Sequence, residues 1–429
     1  MTVNIITLGC SKNLVDSEHL LSQFHAAGYR VMHDAYDKPS DLVIINTCGF
    51  ILDAKEESID TILSFVEEKR LGHIRKLFVM GCLSERYRNE LQEEIPGVDG
   101  FFGVWEMAGI LEAAGTRLDR QLMTDRVVTT PPHYAYLKVS EGCNRTCSFC
   151  AIPGIRGPQR SLHADHLLEE AGNLVRGGVR ELILIAQDLT NYGIDLYGRR
   201  ALSELLGKMV RIDGLEWIRL QYAYPTGFPE EVIGMMASQE KICNYLDIPI
   251  QHINDRILAA MGRGHNRRKL ESLLQRFRDL VPDVAIRTTV MTGFPGETEE
   301  EFGELMAFLK DFRFDRLGVF PYSHEEDTPA FRELEDDQPD RVKADRAEAL
   351  MQLQQEISLQ RNSERVGETY KVLIDRREGE YFVGRTQYDS PEVDNEVLVS
   401  AENMLIPGNF YHVRITSAEE FDLYGEVAG

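Results

Sequence analysis

Short apolar runs alternate with longer stretches of helical periodicity along most of this 429-residue chain, and that alternation constrains the fold more than any other feature. Strand–helix units repeated in series build a parallel sheet, and functional groups gather at the carboxyl ends of its strands. Over residues 1–125 the apolar runs fall at 3–8, 42–45 and 77–80. Each leads straight into a cysteine: Gly9-Cys10, Asn46-Thr47-Cys48 and Gly81-Cys82. A lone cysteine at a strand end reads as a small buried residue. Three in equivalent positions predict a shared metal or redox site, and Gly9, Gly49 and Gly81 leave room for a bulky ligand.

Pro131-Pro132 marks a boundary, beyond which six further strand candidates follow, at 136–139, 181–185, 216–221, 245–248, 284–290 and 316–320. Helical patterns at 164–176, 267–280 and 299–312 lie between them. Six such repeats predict a partial (β/α)6 barrel rather than a closed barrel of eight. A charged helix over 339–362 then connects to a tail with short β-type runs at 369–374, 381–384, 396–399 and 409–415, separated by Gly and Pro turns. That pattern predicts a small antiparallel β-barrel. The expected organisation is therefore an α/β domain over 1–125, a partial barrel with trailing helix over 133–362, and a β-barrel over 364–429.

The loop after the first barrel strand reads Cys143-Asn144-Arg145-Thr146-Cys147-Ser148-Phe149-Cys150. Three thiolates hold three corners of a cubane iron–sulfur cluster and leave the fourth iron open to a small molecule. A structural zinc site wants a fourth protein ligand, and His133 and His163 flank the loop without a zinc-finger spacing. Seven cysteines, six of them in motif-like settings, argue for reduced thiols serving as ligands rather than a disulfide framework; Cys243 reads as a core thiol. The N-terminus lacks a basic region followed by an apolar one, and no run is long enough to span a membrane, so a cytoplasmic protein is expected. His19, His25 and His33 read as surface residues.

Charge narrows the partners. Lys and Arg number 47 against 70 Asp and Glu, a net charge of −23, which disfavours non-specific attraction to a nucleic acid backbone. The tail repeats the bias, with six basic residues against thirteen acidic ones between Arg365 and Gly429.

The CxxxCxxC spacing, with an aromatic before its last cysteine, resembles the radical S-adenosylmethionine (SAM) superfamily, in which the open iron binds the amino and carboxylate groups of SAM. The likeness extends along the chain. Gly9-Cys10-Ser11-Lys12-Asn13 with Val15-Asp16-Ser17-Glu18, then Asn46-Thr47-Cys48-Gly49-Phe50-Ile51, then Gly81-Cys82, resemble the first domain of the radical SAM methylthiotransferases. Ser140-Glu141-Gly142-Cys143 through Cys150-Ala151-Ile152-Pro153, with Arg156-Gly157 and Arg160-Ser161, is similar to their cluster loop. Gly384-Arg385-Thr386 and Asp389-Ser390-Pro391-Glu392-Val393-Asp394 are similar to their closing TRAM domain.

That resemblance implies two 4Fe–4S clusters and SAM as cofactors. Cys10, Cys48 and Cys82 would hold an auxiliary cluster, and Cys143, Cys147 and Cys150 the SAM-cleaving one. Phe149 would shield the cluster or pack on the adenine. Gln187 and Asp188, ending the second barrel strand, offer hydrogen bonds where the methionyl amine would lie. Thr292 and Gly293, ending the fifth, permit close approach to an adenosine. Each of these turns also reads as an ordinary βα connection, and no catalytic residue beyond the cluster ligands is identified. The family divides between enzymes of tRNA adenosine and enzymes of an aspartate on the twelfth small-subunit ribosomal protein. The Cys-Ser-Lys-Asn-Leu-Val-Asp-Ser-Glu and Cys-Gly-Phe-Ile segments resemble the protein-modifying branch, and an acidic tail suits a basic ribosomal protein. An electron donor such as flavodoxin and a sulfur donor are implied partners. The alternatives are the tRNA-modifying activity and a non-catalytic iron–sulfur carrier.

Overall fold

The computed structural model describes every residue except Pro282, Asn403 and Gly429. Its first sheet is wholly parallel: β1 (Thr2–Thr7), β2 (Arg30–His33), β3 (Ser40–Thr47), β4 (Ile74–Gly81) and β5 (Gly100–Phe101), in the order β2-β1-β3-β4-β5. Helices cover both faces. Val3, Ile5, Leu42 and Ile44 pack with Leu20, Leu21 and Phe24 of the helix Ser11–Ala26. Ile6, Val43 and Ile45 pack on the other side with Ile62 and Phe65 of the helix Leu52–Arg70. Burial on both faces is why these strands read as unbroken apolar runs. The edge strands β2 and β5 escape the sequence reading, one being half exposed and the other only two residues long.

The central sheet is also parallel, with β6 (Tyr134–Lys138), β9 (Glu181–Ile185), β10 (Trp217–Leu220), β11 (Ile242–Asp247), β12 (Ala285–Thr292) and β13 (Arg316–Pro321) in the order β13-β12-β11-β10-β9-β6. This is the expected partial (β/α)6 barrel. Between its first two strands, β7 (Ser140–Glu141) and β8 (Arg160–Ser161) form a small antiparallel pair that clamps the base of the three-cysteine loop. One face of the sheet, with Leu137, Leu184, Ile218 and Leu246, packs against helices that contribute Leu167, Leu274 and Phe277. The alternate positions, among them Arg219, Gln221, Tyr245 and Arg287, point the other way, into the concave side.

The tail closes into a barrel of β14 (Thr369–Glu378), β15 (Tyr381–Thr386), β16 (Glu396–Ser400), β17 (Phe410–Ala418) and β18 (Asp422–Val427), ordered β14-β15-β16-β18-β17. It is antiparallel except for β16 and β18, which run together. Five strands cannot alternate direction all the way round, so one parallel pair is unavoidable.

This small barrel sends the segment around 385–395 into the concave side of the central sheet. Arg385 is 2% exposed and pairs with Asp375 at 2.6 Å and Glu181 at 2.8 Å. Arg316 Nε donates to Asp389 Oδ1 at 3.2 Å, Gln221 Nε2 to Ser390 Oγ at 2.6 Å, and Arg287 Nη1 to Asp394 Oδ1 at 2.8 Å. Part of the tail's acidity is therefore consumed internally, by Asp375, Asp389 and Asp394. Glu378, Glu380, Glu402, Glu419, Glu420 and Glu426 remain exposed and keep the barrel surface acidic. Cys243 is fully buried beside Trp217, Tyr245, Leu373 and Tyr388, a core thiol where sheet and barrel meet. No helix among the described residues is long and apolar enough to cross a membrane.

Replacing Arg316 by Met would leave the carboxylate of Asp389 buried without its main counter-charge, an imbalance that costs about 3–5 kcal/mol. Limited proteolysis of R316M is expected to release the tail barrel under conditions that leave the wild-type chain intact.

Candidate active site

The first three cysteines sit on adjacent strands. Thr7 pairs with Asn46 and Thr47 with Gly81, so the chain leaves β1, β3 and β4 at nearly the same level and places Cys10, Cys48 and Cys82 along one edge. Local bonds fix each exit. Asn13 Nδ2 donates to the carbonyls of Leu8 (2.8 Å) and Thr47 (3.1 Å), tying two of the strand ends together. Ser58 holds Cys48 from both sides, accepting from its backbone N–H at 3.1 Å and donating to its carbonyl at 3.0 Å. Gly9 has φ +88°, and a Cβ there would lie 2.8 Å from Cys48 Cβ and 3.1 Å from its Sγ. Only glycine permits that approach.

The second trio hangs from the β7–β8 clamp. Gly142 (φ +77°) turns the chain so tightly that a Cβ would meet the Pro158 carbonyl at 2.3 Å. Cys143 N–H then donates to Gly157 O at 3.1 Å, and Ser148 N–H to Met261 O at 2.9 Å. Polar groups surround the sulfurs. Arg263 Nη1 donates to Cys147 Sγ at 3.3 Å, the Tyr224 hydroxyl lies 3.7 Å from the same sulfur, and the Arg145 backbone N–H donates to Cys143 Sγ at 3.4 Å. Arg145 and Arg263 both stack on the Tyr224 ring, at 4.0 and 4.2 Å. Sequence reasoning missed these three residues; the arginine between two cysteines and the Gly262-Arg263-Gly264 turn were the available signals.

The two trios are joined. Cys82 packs on Ala151 and Ile155, in the segment directly after Cys150. From the short helix Ile152–Arg156 in that segment, Arg156, 2% exposed, donates through Nε to Cys82 Sγ at 3.3 Å and through Nη1 to Glu141 Oε2 at 2.7 Å. Its Nη2 reaches Asn13 Oδ1. Lys138 joins Glu141 (2.6 Å) to Asp16. Burial alone would push the Glu141 carboxyl up, but Lys138 and Arg156 hold it well below its usual range. On the far rim, Glu325 after β13 accepts from Lys55 at 2.9 Å and Arg86 at 3.0 Å. The first domain thus meets the partial barrel both at β6 and at the segment after β13.

The remaining expected residues divide. Phe149 packs with Met261 and Phe294 beside the loop. Gln187 donates through Nε2 to Glu141 Oε1, which leaves its Oε1 buried and unpartnered. The Asp188 carboxylate accepts from Arg145 Nε (2.7 Å), Thr190 N (2.9 Å) and Thr190 Oγ1 (2.6 Å), and so anchors the loop. Thr292 and Gly293 contact Lys343. The Thr292 hydroxyl donates to Lys343 O at 3.0 Å, and a Cβ on Gly293 would strike Lys343 Cγ at 2.3 Å. Both contacts come from the first turn of the helix Asp340–Ser363. His19 is not a free surface residue either. It lies against Glu170 at 3.6 Å, and burial, reinforced by Arg126 and Lys138, pushes its pKa well down.

Among the described residues no three His, Cys, Asp or Glu side chains are drawn around a single ion. A cubane distributes its thiolates over separate irons, a wider arrangement than one ion takes. Burial raises the thiols of Cys48 and Cys143 to about 11 and that of Cys150 to about 12, and it raises Cys82. Burial also opposes the Cys10 thiolate, but Lys12, Arg156 and the backbone amides of Asn13 and Lys12 outweigh it, and this thiol lies below its ordinary value.

Fold and site together define a radical SAM enzyme. Residues 137–309 match the radical SAM superfamily, residues 366–428 the TRAM domain, and residues 2–103 the Uncharacterized protein family UPF0004. In overall fold the chain is similar to the radical SAM methyltransferase TsrM of Kitasatospora setae, with a TM-score of 0.56 over 74% of this chain and 72% of that one at 14% identity. Among curated proteins it is 54% identical to the ribosomal protein uS12 methylthiotransferase RimO of Flavobacterium psychrophilum, over 99% of this chain and 98% of the relative. It is 53% identical to that of Christiangramia forsetii, over 99% and 94%. The chain belongs to the RimO family of ribosomal protein uS12 methylthiotransferases.

Because only the thiolate reacts, alkylation of the metal-free protein at pH 8 is expected to modify Cys10 first, with Cys143, Cys48 and Cys150 following only as the pH rises toward 11–12. Peptide mass spectrometry over a pH series measures that order; equal rates at all six positions would contradict it.

Proposed function

We propose that this chain inserts a methylthio group at the β-carbon of one aspartate of ribosomal protein uS12. Full-length similarity to proteins of that name carries the reading. In it, Cys10, Cys48 and Cys82 hold one 4Fe–4S cluster and Cys143, Cys147 and Cys150 hold the cluster that binds SAM. The donor sets suit such groups. Each trio offers three sulfurs, and the second has an arginine, a tyrosine hydroxyl and a backbone N–H aimed at sulfur, as outer partners of a metal thiolate usually are. Thiols pushed up by burial need a nearby cation to ionise, and iron supplies it.

When bound, the clusters and SAM contribute one-electron and radical chemistry that no side chain here performs. The chain's own residues bind and orient. Gln187 Oε1, its amide fixed by Glu141, is the acceptor for the ammonium of SAM. Asp188 holds Arg145 and so the shape of the cysteine loop. Phe149 with Met261 and Phe294 keeps water from that side. Thr292 and Gly293 shape the same wall through their contacts with Lys343. We take the working units to be 1–125, 133–362 and 364–429, acting in the cytoplasm with an electron donor such as flavodoxin and a separate sulfur donor. The acidic surface of the last unit offers complementary charge to a basic ribosomal protein.

Anaerobically reconstituted enzyme given SAM, reductant and sulfide is expected to add a methylthio mass to uS12 and not to tRNA; the reverse result would falsify the reading. Cys147→Ala should abolish reductive SAM cleavage and about half of the bound iron. Cys48→Ala should spare SAM cleavage yet yield no methylthiolated uS12, and full activity in that variant would refute the auxiliary ligand set.

A further inference from the structure

Lys12 stands two residues after Cys10, in the first turn of the helix Ser11–Ala26, and it is 7% exposed. Its ammonium lies over the Tyr222 ring, 3.1 Å from the centroid, and it has no hydrogen bond or ion pair among the described residues. The other buried cations nearby are all matched: Arg156 and Lys138 by Glu141 and Asp16, Arg126 by Glu18 and Glu170. Cys10 and Asp247 both feel the charge of Lys12 without pairing to it. Asp247 is otherwise engaged, accepting from the Tyr222 backbone N–H at 3.0 Å and lying 3.9 Å from Arg287.

The platform under the ammonium is itself constrained. Tyr222 follows β10 at the barrel mouth with φ +62°, a region non-glycine residues rarely occupy. It is pinned on both sides, its N–H by Asp247 and its carbonyl by Leu189 N–H at 3.1 Å. Strain retained at a pinned position marks a placed group. The helix terminus beneath Lys12 adds to the positive field. Lys12 belongs to the first domain and Tyr222 to the barrel, so the pair joins the two domains that carry the cysteine trios.

We infer that Lys12, seated on Tyr222, receives the side-chain carboxylate of the substrate aspartate and selects it over a neutral residue. This rests on the aspartate-modifying reading above. The carboxylate is the only charge on that residue and is bonded directly to the β-carbon. Gripping it fixes the reacting carbon while leaving its hydrogens free. Lysine supplies three donors and no acceptor, none of them in a hydrogen bond among the described residues, and a carboxylate reaching this largely buried position meets them where pairing is stronger than in water. A neutral amide in its place would leave the cation unpaired, which a buried site penalises heavily.

The test uses reconstituted full-length enzyme and recombinant uS12, with the modified aspartate located by mass spectrometry and then replaced by asparagine. Wild-type enzyme is expected to prefer the aspartate substrate by about 100-fold in kcat/KM, and the asparagine protein should compete at least about tenfold more weakly. K12M should raise the KM for uS12 by about 10- to 100-fold and bring the two substrates within about threefold of each other, at unchanged iron content. K12R should restore the preference. Preference and KM unchanged in K12M, or a KM raised for SAM alone, overturns the role of Lys12. Should K12M fail to load iron, equal competition by the asparagine protein against wild type still overturns it. A wild-type enzyme that leaves uS12 unmodified overturns the underlying reading instead.

Discussion

One buried guanidinium holds the two halves of the site together. Arg156 leaves the segment after Cys150, crosses the domain boundary, and donates to Cys82 Sγ, Glu141 and Asn13 at once. Asn13 in turn ties the ends of β1 and β3. A charge in a dry interior needs its partners in good geometry, and here those partners come from both domains. The relative position of the cysteine trios is therefore set by hydrogen bonds with direction as well as by the less specific fit of apolar surfaces.

The same logic recurs around the chamber. Glu325 takes Lys55 and Arg86 on the far rim, Asp188 takes Arg145, and Glu181 sits between Arg219 and Arg385. Each connection joins segments distant in sequence. Placing reactive groups to a fraction of an ångström demands rigid supports, and the arginine–carboxylate pairs provide them. Lys12 stands out against this background because the buried cations of the domain seam, Arg156, Lys138 and Arg126, are each matched by a carboxylate and it is not.

What the amino acids announce and what they conceal follows from distance along the chain. The strand–helix alternation, the six cysteines and the (β/α)6 count are local patterns, readable because a strand buried on both faces must be apolar throughout. The position of the cysteines at strand ends is equally local. The contact of Thr292-Gly293 with Lys343 was not legible because that lysine lies fifty residues later, and a glycine that suits a nucleoside equally suits a lysine stem. Asp188 looks like a free hydrogen-bonding group until Arg145 folds over it. His19 looks exposed until Glu170 arrives from another domain. β18 evaded detection because its six residues carry a single fully buried apolar side chain, Leu423.

The segment around 385–395 reaches back beneath the central sheet, where Arg219, Gln221, Arg287 and Arg316 all find oxygen partners. During synthesis those four side chains are made well before the residues that satisfy them. The vessel is left without its base until nearly the whole polypeptide has emerged from the ribosome. The floor of the central sheet is thus closed by residues of a different domain, and its four polar side chains depend on that domain for their partners.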